Sequence, residues 1–149
     1  MDFESLINSR GVVRLATKDK TECLETLIEA LARRKEVTSK VKLARAIKDR
    51  EKILSTGIGY GLAVPHAKIA EAKEFCAVIG LSKAGIPFES LDGKPVHIVI
   101  MIAAPENRHE EYLRILEKIT KSLRDEEVRK RLLETKDAKS ALAILSELG

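Results

Sequence analysis

Two short segments, FCAVIGLS at 75–82 and VHIVIMIA at 96–103, constrain this 149-residue chain more than anything else in it. Each is apolar at odd and even positions alike. Successive side chains of a strand point to opposite faces, so a strand with one wet face alternates apolar with polar residues. A strand apolar on both faces has to be covered on both. The two segments therefore predict the centre of a sheet enclosed by helices. Between them Gly85, Pro87 and Asp92-Gly93 mark turns.

The flanks supply the cover. Cys23, Leu24, Leu27, Ile28 and Leu31 recur at helical spacing, which predicts a helix over 20–34. Ahead of them Asp19-Lys20-Thr21-Glu22 has the capping-box pattern, Asp accepting from backbone N–H groups and Glu reaching back. Thr38 or Ser39 caps a second helix, with an apolar stripe of Val41, Leu43, Ala44, Ile47 and Leu54. From Glu106 onward the pattern is helical. Leu113, Leu116, Ile119 and Leu123 form one stripe; Asp125 opens a helix through Leu132 and Leu133; Asp137 opens another carrying Ala141, Leu142, Leu145 and Leu148. Residues 3–9 predict a short helix and 11–16 (GVVRLA) a short strand. Residues 62–65 are expected to be extended, because Val64 precedes a proline. Strands and helices do not alternate strictly. The expected architecture is α/β (α+β), a mixed β-sheet flanked by helices, in a single domain over 1–149.

Composition narrows the class. At 44% hydrophobic and 34% charged residues the chain is globular rather than disordered. No apolar run reaches the roughly 20 residues that span a bilayer. The acidic, apolar-poor start MDFESLINSR predicts no secretory leader, so a soluble, cytoplasmic protein is expected. Cys23 and Cys76 form no metal-ligand spacing and read as buried, reduced thiols. The formal charge of +4 is local in origin: residues 33–52 carry nine Lys or Arg against three Asp or Glu, whereas 106–149 carry ten of each. No nucleic-acid motif accompanies this stretch. It reads either as a solvated helix face or as an anion-attracting rim.

The chemistry concentrates in STGIGYGLAVPHAK, residues 55–68. Pro65 restricts the backbone directly before His66, one of three histidines in the chain. Gly57, Gly59 and Gly61 permit positive φ, a backbone that turns N–H groups toward an anion. Arg50 lies in the helix entering the loop, and its fork of donors suits phosphate oxygens. A neutral imidazole is a nucleophile at cellular pH if its other nitrogen is held by an acceptor such as a carbonyl. Phosphoryl transfer needs little beyond positioning and donors around the equatorial oxygens. Ser55, Thr56, Gly57, Gly59 and Arg50 are the candidates for that cradle. Rival chemistries fail on spacing. There is no GxxxxGK[ST], and GIGYG lies between helix and strand in the wrong order for a dinucleotide turn. His109-Glu110-Glu111-Tyr112-Leu113 lacks the second histidine of HExxH, so neither metal nor cofactor is expected. His97 reads as a structural histidine facing away from Val96 and Ile98. Phe88, Met101 and Tyr60 read as packing residues, Tyr60 with an exposed alternative.

DREKILSTGIGYGLAVPHAK (49–68), with IPFESLDGKPVHIVIMIAAPENRHEEYLRIL downstream, resembles the enzyme IIA domains of the fructose and mannitol class of the bacterial sugar phosphotransferase system. The resemblance covers nearly the whole chain. It implies a mixed sheet flanked by helices. It also implies that His66 accepts a phosphoryl group on Nε2 from the carrier HPr and passes it to an enzyme IIB, with Arg50 helping to hold it. Many members carry a second histidine where this chain has Tyr112; His109, one helical turn earlier, and Tyr112 are both candidates for its role. Free-standing members of the nitrogen-related branch are regulators, so carrier and regulator both remain open. A binding domain without transfer is a third reading, from the missing histidine. The resemblance names no sugar and no oligomeric state.

Overall fold

The computed structural model describes residues 2–148. Its elements in order are α1 (Phe3–Leu6), β1 (Val12–Arg14), α2 (Lys20–Ala32), α3 (Lys40–Ile53), β2 (Gly57–Gly59), β3 (Leu62–Ala63), β4 (His66–Lys68), β5 (Cys76–Ile86), β6 (Val96–Ala104), α4 (His109–Leu123), α5 (Glu126–Glu134) and α6 (Ala138–Glu147). A 3-10 turn, Ser9–Gly11, leads into β1. The strands form one six-stranded mixed sheet in the order β1-β5-β6-β3-β2, with β4 also pairing to β6. Strands β1 and β5 run parallel, β5 and β6 antiparallel, and β3 and β4 both parallel to β6.

The two apolar segments are the paired central strands, and their alternation sorts two cores. Cys76, Val78, Val99, Met101 and Ala103 pack with Leu24, Leu27, Leu31, Leu43 and Ile47 of α2 and α3. Ala77, Ile79, Ile98, Ile100 and Ile102 face the other way, onto Phe3, Tyr112, Ile119, Leu123, Leu132 and Leu145. Burying each large apolar side chain contributes about 1.5–3 kcal/mol, so both helical layers are held chiefly through these strands. The thiols of Cys23 and Cys76 lie in the first core, and burial pushes both up to about 12.

Several local expectations shift. The Asp19 carboxylate caps α2 by accepting from Thr21 N, but Glu22 does not reach the Asp19 N–H. Thr17 intervenes: its hydroxyl donates to Glu22 at 2.8 Å and accepts from Asp19 N at 3.0 Å. Ser39, not Thr38, caps α3. Val41 and Leu54 are exposed rather than part of its stripe. On α4 the buried stripe begins at Tyr112, 3% exposed, while Leu113 turns outward at 49%. Gly85 is not a turn between strands but lies inside β5, at φ +88°, where the ladder slips between Leu81 and Ile86. That slip puts Val96 and Ile98 on opposite faces, so His97 is not simply opposed to both. Tyr60 is exposed, whereas Phe88 and Met101 are fully buried.

Candidate functional site

Helix α3 ends where Arg50 Nη1 donates to the Leu54 carbonyl at 2.8 Å, closing its last turn. The chain then folds back as a hairpin, β2 against β3, through the two-residue turn Tyr60-Gly61. Both turn residues have positive φ, +58° and +70°, as the tight hairpin turn matching sheet twist requires. Beyond Ala63 the Val64-Pro65 pair interrupts the ladder on β6, and β4 resumes it at His66. Ile102 N donates to Pro65 O at 3.0 Å, so the chain re-attaches without needing the N–H that proline lacks. Strand alternation then puts His66 and Lys68 on one face, with Ala67 buried on the other.

His66 Nδ1 lies 3.0 Å from the Val64 carbonyl oxygen. A carbonyl only accepts, so Nδ1 carries the proton and Nε2 keeps its lone pair. Burial holds the imidazole below its ordinary pKa of 6.5; the Val64 bond opposes this, the charges of Arg50 and Lys68 add to it, and Glu51 opposes again. Tyr112, on α4, stacks obliquely on the imidazole, ring centroids 5.1 Å apart at 42°. Its hydroxyl oxygen is buried and has no hydrogen-bond partner among the described residues. Burial pushes the phenol up to about 12, against the nearby Arg50 charge. The Lys68 ammonium stands 4.3 Å over the Tyr112 ring and donates to His109 Nδ1 at 2.6 Å. Burial lowers the Lys68 pKa.

The structure thus brings together a neutral imidazole with one open nitrogen, two cations and an unsatisfied hydroxyl. Of the residues expected from sequence, His66, Arg50 and Tyr112 converge. His109 is one step removed, 6.1 Å from the Tyr112 ring and tied to Lys68. The glycine-amide cradle does not form around His66. Ser55 Oγ donates to Phe88 O and accepts from Gly57 N. Thr56 gives both its N–H and its hydroxyl to Glu51, at 2.9 and 2.6 Å. Gly59 pairs with Leu62, itself in register with Ile98, whereas His66 is in register with Ile102. Four residues of strand put it about 13 Å away. The glycines serve the hairpin instead; a Cβ on Gly57 would meet Ser90 Oγ at 2.2 Å. The basic stretch is also less of a rim than its composition suggests, since Arg34, Lys40, Lys42 and Lys48 pair with Glu36, Glu29, Glu71 and Glu25.

Two residues of the site escaped sequence reading. Lys68 had a usable signal, the two-residue spacing from His66, but only once 66–68 is taken as a strand. Glu51 had none, being one acid in a lysine-rich helix. Among the described residues no cluster of three or more His, Cys, Asp or Glu is placed to hold a metal, and no helix is long and apolar enough to cross a membrane.

Comparison with known proteins identifies the family and the fold. The family model described as phosphoenolpyruvate-dependent sugar phosphotransferase system, EIIA 2, matches residues 5–148. The fructose-specific EIIABC component of Bacillus subtilis is 35% identical over 91% of this chain, which spans only 21% of that relative. The nitrogen regulatory protein of Bradyrhizobium diazoefficiens is 32% identical over 82% of this chain and 81% of its own length. Among solved structures, the nitrogen regulatory protein IIA-Ntr from Neisseria meningitidis superposes with a TM-score of 0.86 at 26% identity, covering 95% of this chain and 97% of that one. Enzyme IIA-mannitol of Escherichia coli, solved in complex with phosphorylated enzyme IIB-mannitol, superposes at 0.79 with 26% identity, over 95% and 99% of the two chains. The chain belongs to the EIIA type 2 family of the phosphoenolpyruvate-dependent sugar phosphotransferase system.

Proposed function

We propose that the protein is a phosphoryl carrier that accepts its group on His66 Nε2 from phosphohistidine on an HPr-type donor and passes it to an enzyme IIB. In the acceptance step the Nε2 lone pair forms the new N–P bond as the donor's N–P bond breaks, its electron pair returning to the donor nitrogen. No proton moves. The positive charge that develops on the His66 ring remains shared with the Nδ1–H···O=C bond to Val64. Arg50 and Lys68 offset the charge on the phosphoryl oxygens, and Tyr112 Oη donates to one of them, taking the role of the family's second histidine. His109 acts on this group only by holding Lys68. The single observation that carries the reading is the open Nε2 of a neutral, carbonyl-pinned imidazole beside two cations and a buried hydroxyl with nothing to bond.

A second reading, a regulator whose phosphorylation state controls partner binding, draws support from the relatives named as nitrogen regulatory proteins, that of Bradyrhizobium diazoefficiens at 32% identity and that of Neisseria meningitidis at a TM-score of 0.86. Both readings share the first step, so one experiment tests it. Incubation with enzyme I, HPr and phosphoenolpyruvate, read by intact mass at neutral or alkaline pH, is expected to add one phosphoryl group. His66→Ala is expected to add none, and acceptance by that variant overturns the assignment. Discharge by an added IIB then favours the transport carrier; phosphorylation-dependent binding without discharge favours the regulator.

A further inference from the structure

One buried charge acts on His66 without a direct hydrogen bond to it. Glu51, in the last turn of α3, is only 7% exposed. A buried carboxylate costs several kcal/mol unless its oxygens are satisfied. Here they are: Oε2 accepts from Thr56 N at 2.9 Å and pairs with Lys20 Nζ at 3.0 Å, while Oε1 accepts from the Thr56 hydroxyl at 2.6 Å. Lys20 is itself held over the Phe88 ring, 4.7 Å from its centroid. From Thr56 the connection continues. Its carbonyl accepts from Val64 N at 3.0 Å, and the Val64 carbonyl accepts from His66 Nδ1, also at 3.0 Å. An unbroken series of contacts thus runs from Lys20 on α2 through Glu51, Thr56 and Val64 to the imidazole.

The series matters because Val64 lies where the sheet does not hold it. Strand β3 ends at Ala63 and β4 begins at His66. Thr56 is likewise outside a regular element, between α3 and β2. The carbonyl that accepts the Nδ1–H hydrogen bond is therefore placed through Thr56, and Thr56 through Glu51. Which nitrogen of a neutral imidazole keeps its lone pair is set by the hydrogen bond the other one makes.

We propose that Glu51 is a positioning residue for phosphoryl transfer: by anchoring Thr56 it holds the Val64 carbonyl against His66 Nδ1 and so keeps Nε2 as the nucleophile. The proposal rests on His66 as the phosphoryl acceptor. A neutral Gln offers one acceptor oxygen where the carboxylate offers two, and it abolishes the pair with Lys20. Asp keeps the charge but is one methylene short of Thr56.

The test is 15N NMR of the His66 ring in the unphosphorylated protein, run beside the rate of acceptance from phospho-HPr. In the wild type Nδ1 is expected to carry the proton. In Glu51→Gln the population of the other tautomer is expected to rise and acceptance to slow about tenfold, the lower end of what losing a ligand-orienting partner costs. If Glu51→Gln does not fold, Glu51→Asp takes its place with the same expectation. A folded variant with the wild-type tautomer overturns the proposal, even if its Tm has dropped, because that is what a purely structural role produces. A tautomer shift without slower acceptance overturns it too. Failure of the wild type to accept any phosphoryl group removes the carrier reading instead, a result the ring spectrum does not depend on.

Discussion

His97 lies near the start of β6, and His66, on β4, is in register with Ile102 near that strand's end; locally the two histidines are alike. Each is half-buried, and each has Nδ1 against a backbone carbonyl, Val64 O at 3.0 Å and Ser82 O at 2.9 Å. What surrounds them differs. The His97 ring fills the slip in β5, where a Cβ on Gly85 would come within 3.0 Å of its Cε1. The guanidinium nearest that end, Arg129, is engaged with the Leu123 and Arg124 carbonyls and stands over the Tyr60 ring. At the His66 end Arg50 and Lys68 bring charge to an open Nε2, and the Tyr112 hydroxyl is left unsatisfied. A pinned imidazole is a packing device at one end and, on the proposed function, the nucleophile at the other. The neighbours decide which.

The comparison is broken most directly by removing each ring. His66→Ala is expected to lose all phosphoryl acceptance, whereas His97→Ala keeps acceptance and loses about 1 kcal/mol of stability with its hydrogen bond. Mass spectrometry and thermal melts read the two effects; loss of acceptance in His97→Ala would make the ends equivalent. Next comes Arg50→Ala, expected to slow acceptance on the order of 100-fold, as removal of one preorganised donor to a developing charge does. An unchanged rapid-quench rate would take Arg50 out of the site.

Tyr112→Phe sharpens the contrast with a smaller change of two signs. Acceptance should fall about tenfold, for one hydrogen bond to a charged phosphoryl oxygen. The unphosphorylated protein should become more stable by about 1–2 kcal/mol, since a buried hydroxyl without a partner is removed. A variant that is slower but no more stable would mean the hydroxyl was satisfied after all. The smallest effect is in pH. Burial and two cations hold His66 below 6.5, so the acid limb of acceptance should lie below that value, followed by NMR titration of the ring. The unfolded chain takes up this proton first as pH falls through 6.5. Folding is therefore weakened on acidification from that point, and the loss stops growing below the folded-state pKa. A midpoint at or above 6.5 would mean that neither burial nor the cations act on the ring.

Much of the fold was legible because its signals are local. The doubly apolar strands and the Asp19, Ser39, Asp125 and Asp137 caps each depend on residues within a few positions of one another. Spacing failed where two faces competed: Tyr112 and Leu113 are equally plausible on a helical wheel, and packing on the sheet chose Tyr112. The same choice puts a phenol against His66, at a position the family resemblance singles out. β4 went unread because three residues are too few for a period.

By itself the sequence determined a covered central sheet, its capped helices, and one histidine behind a proline, since periodicity, capping and the fixed φ of proline are short-range properties. Only the tertiary structure decided that the glycines shape a hairpin rather than a cradle, that Lys68 and Tyr112 meet over His66, and that Glu51 is buried against Thr56 and Lys20. Each of these depends on which distant groups share a site, and burial and charge act through space rather than along the chain.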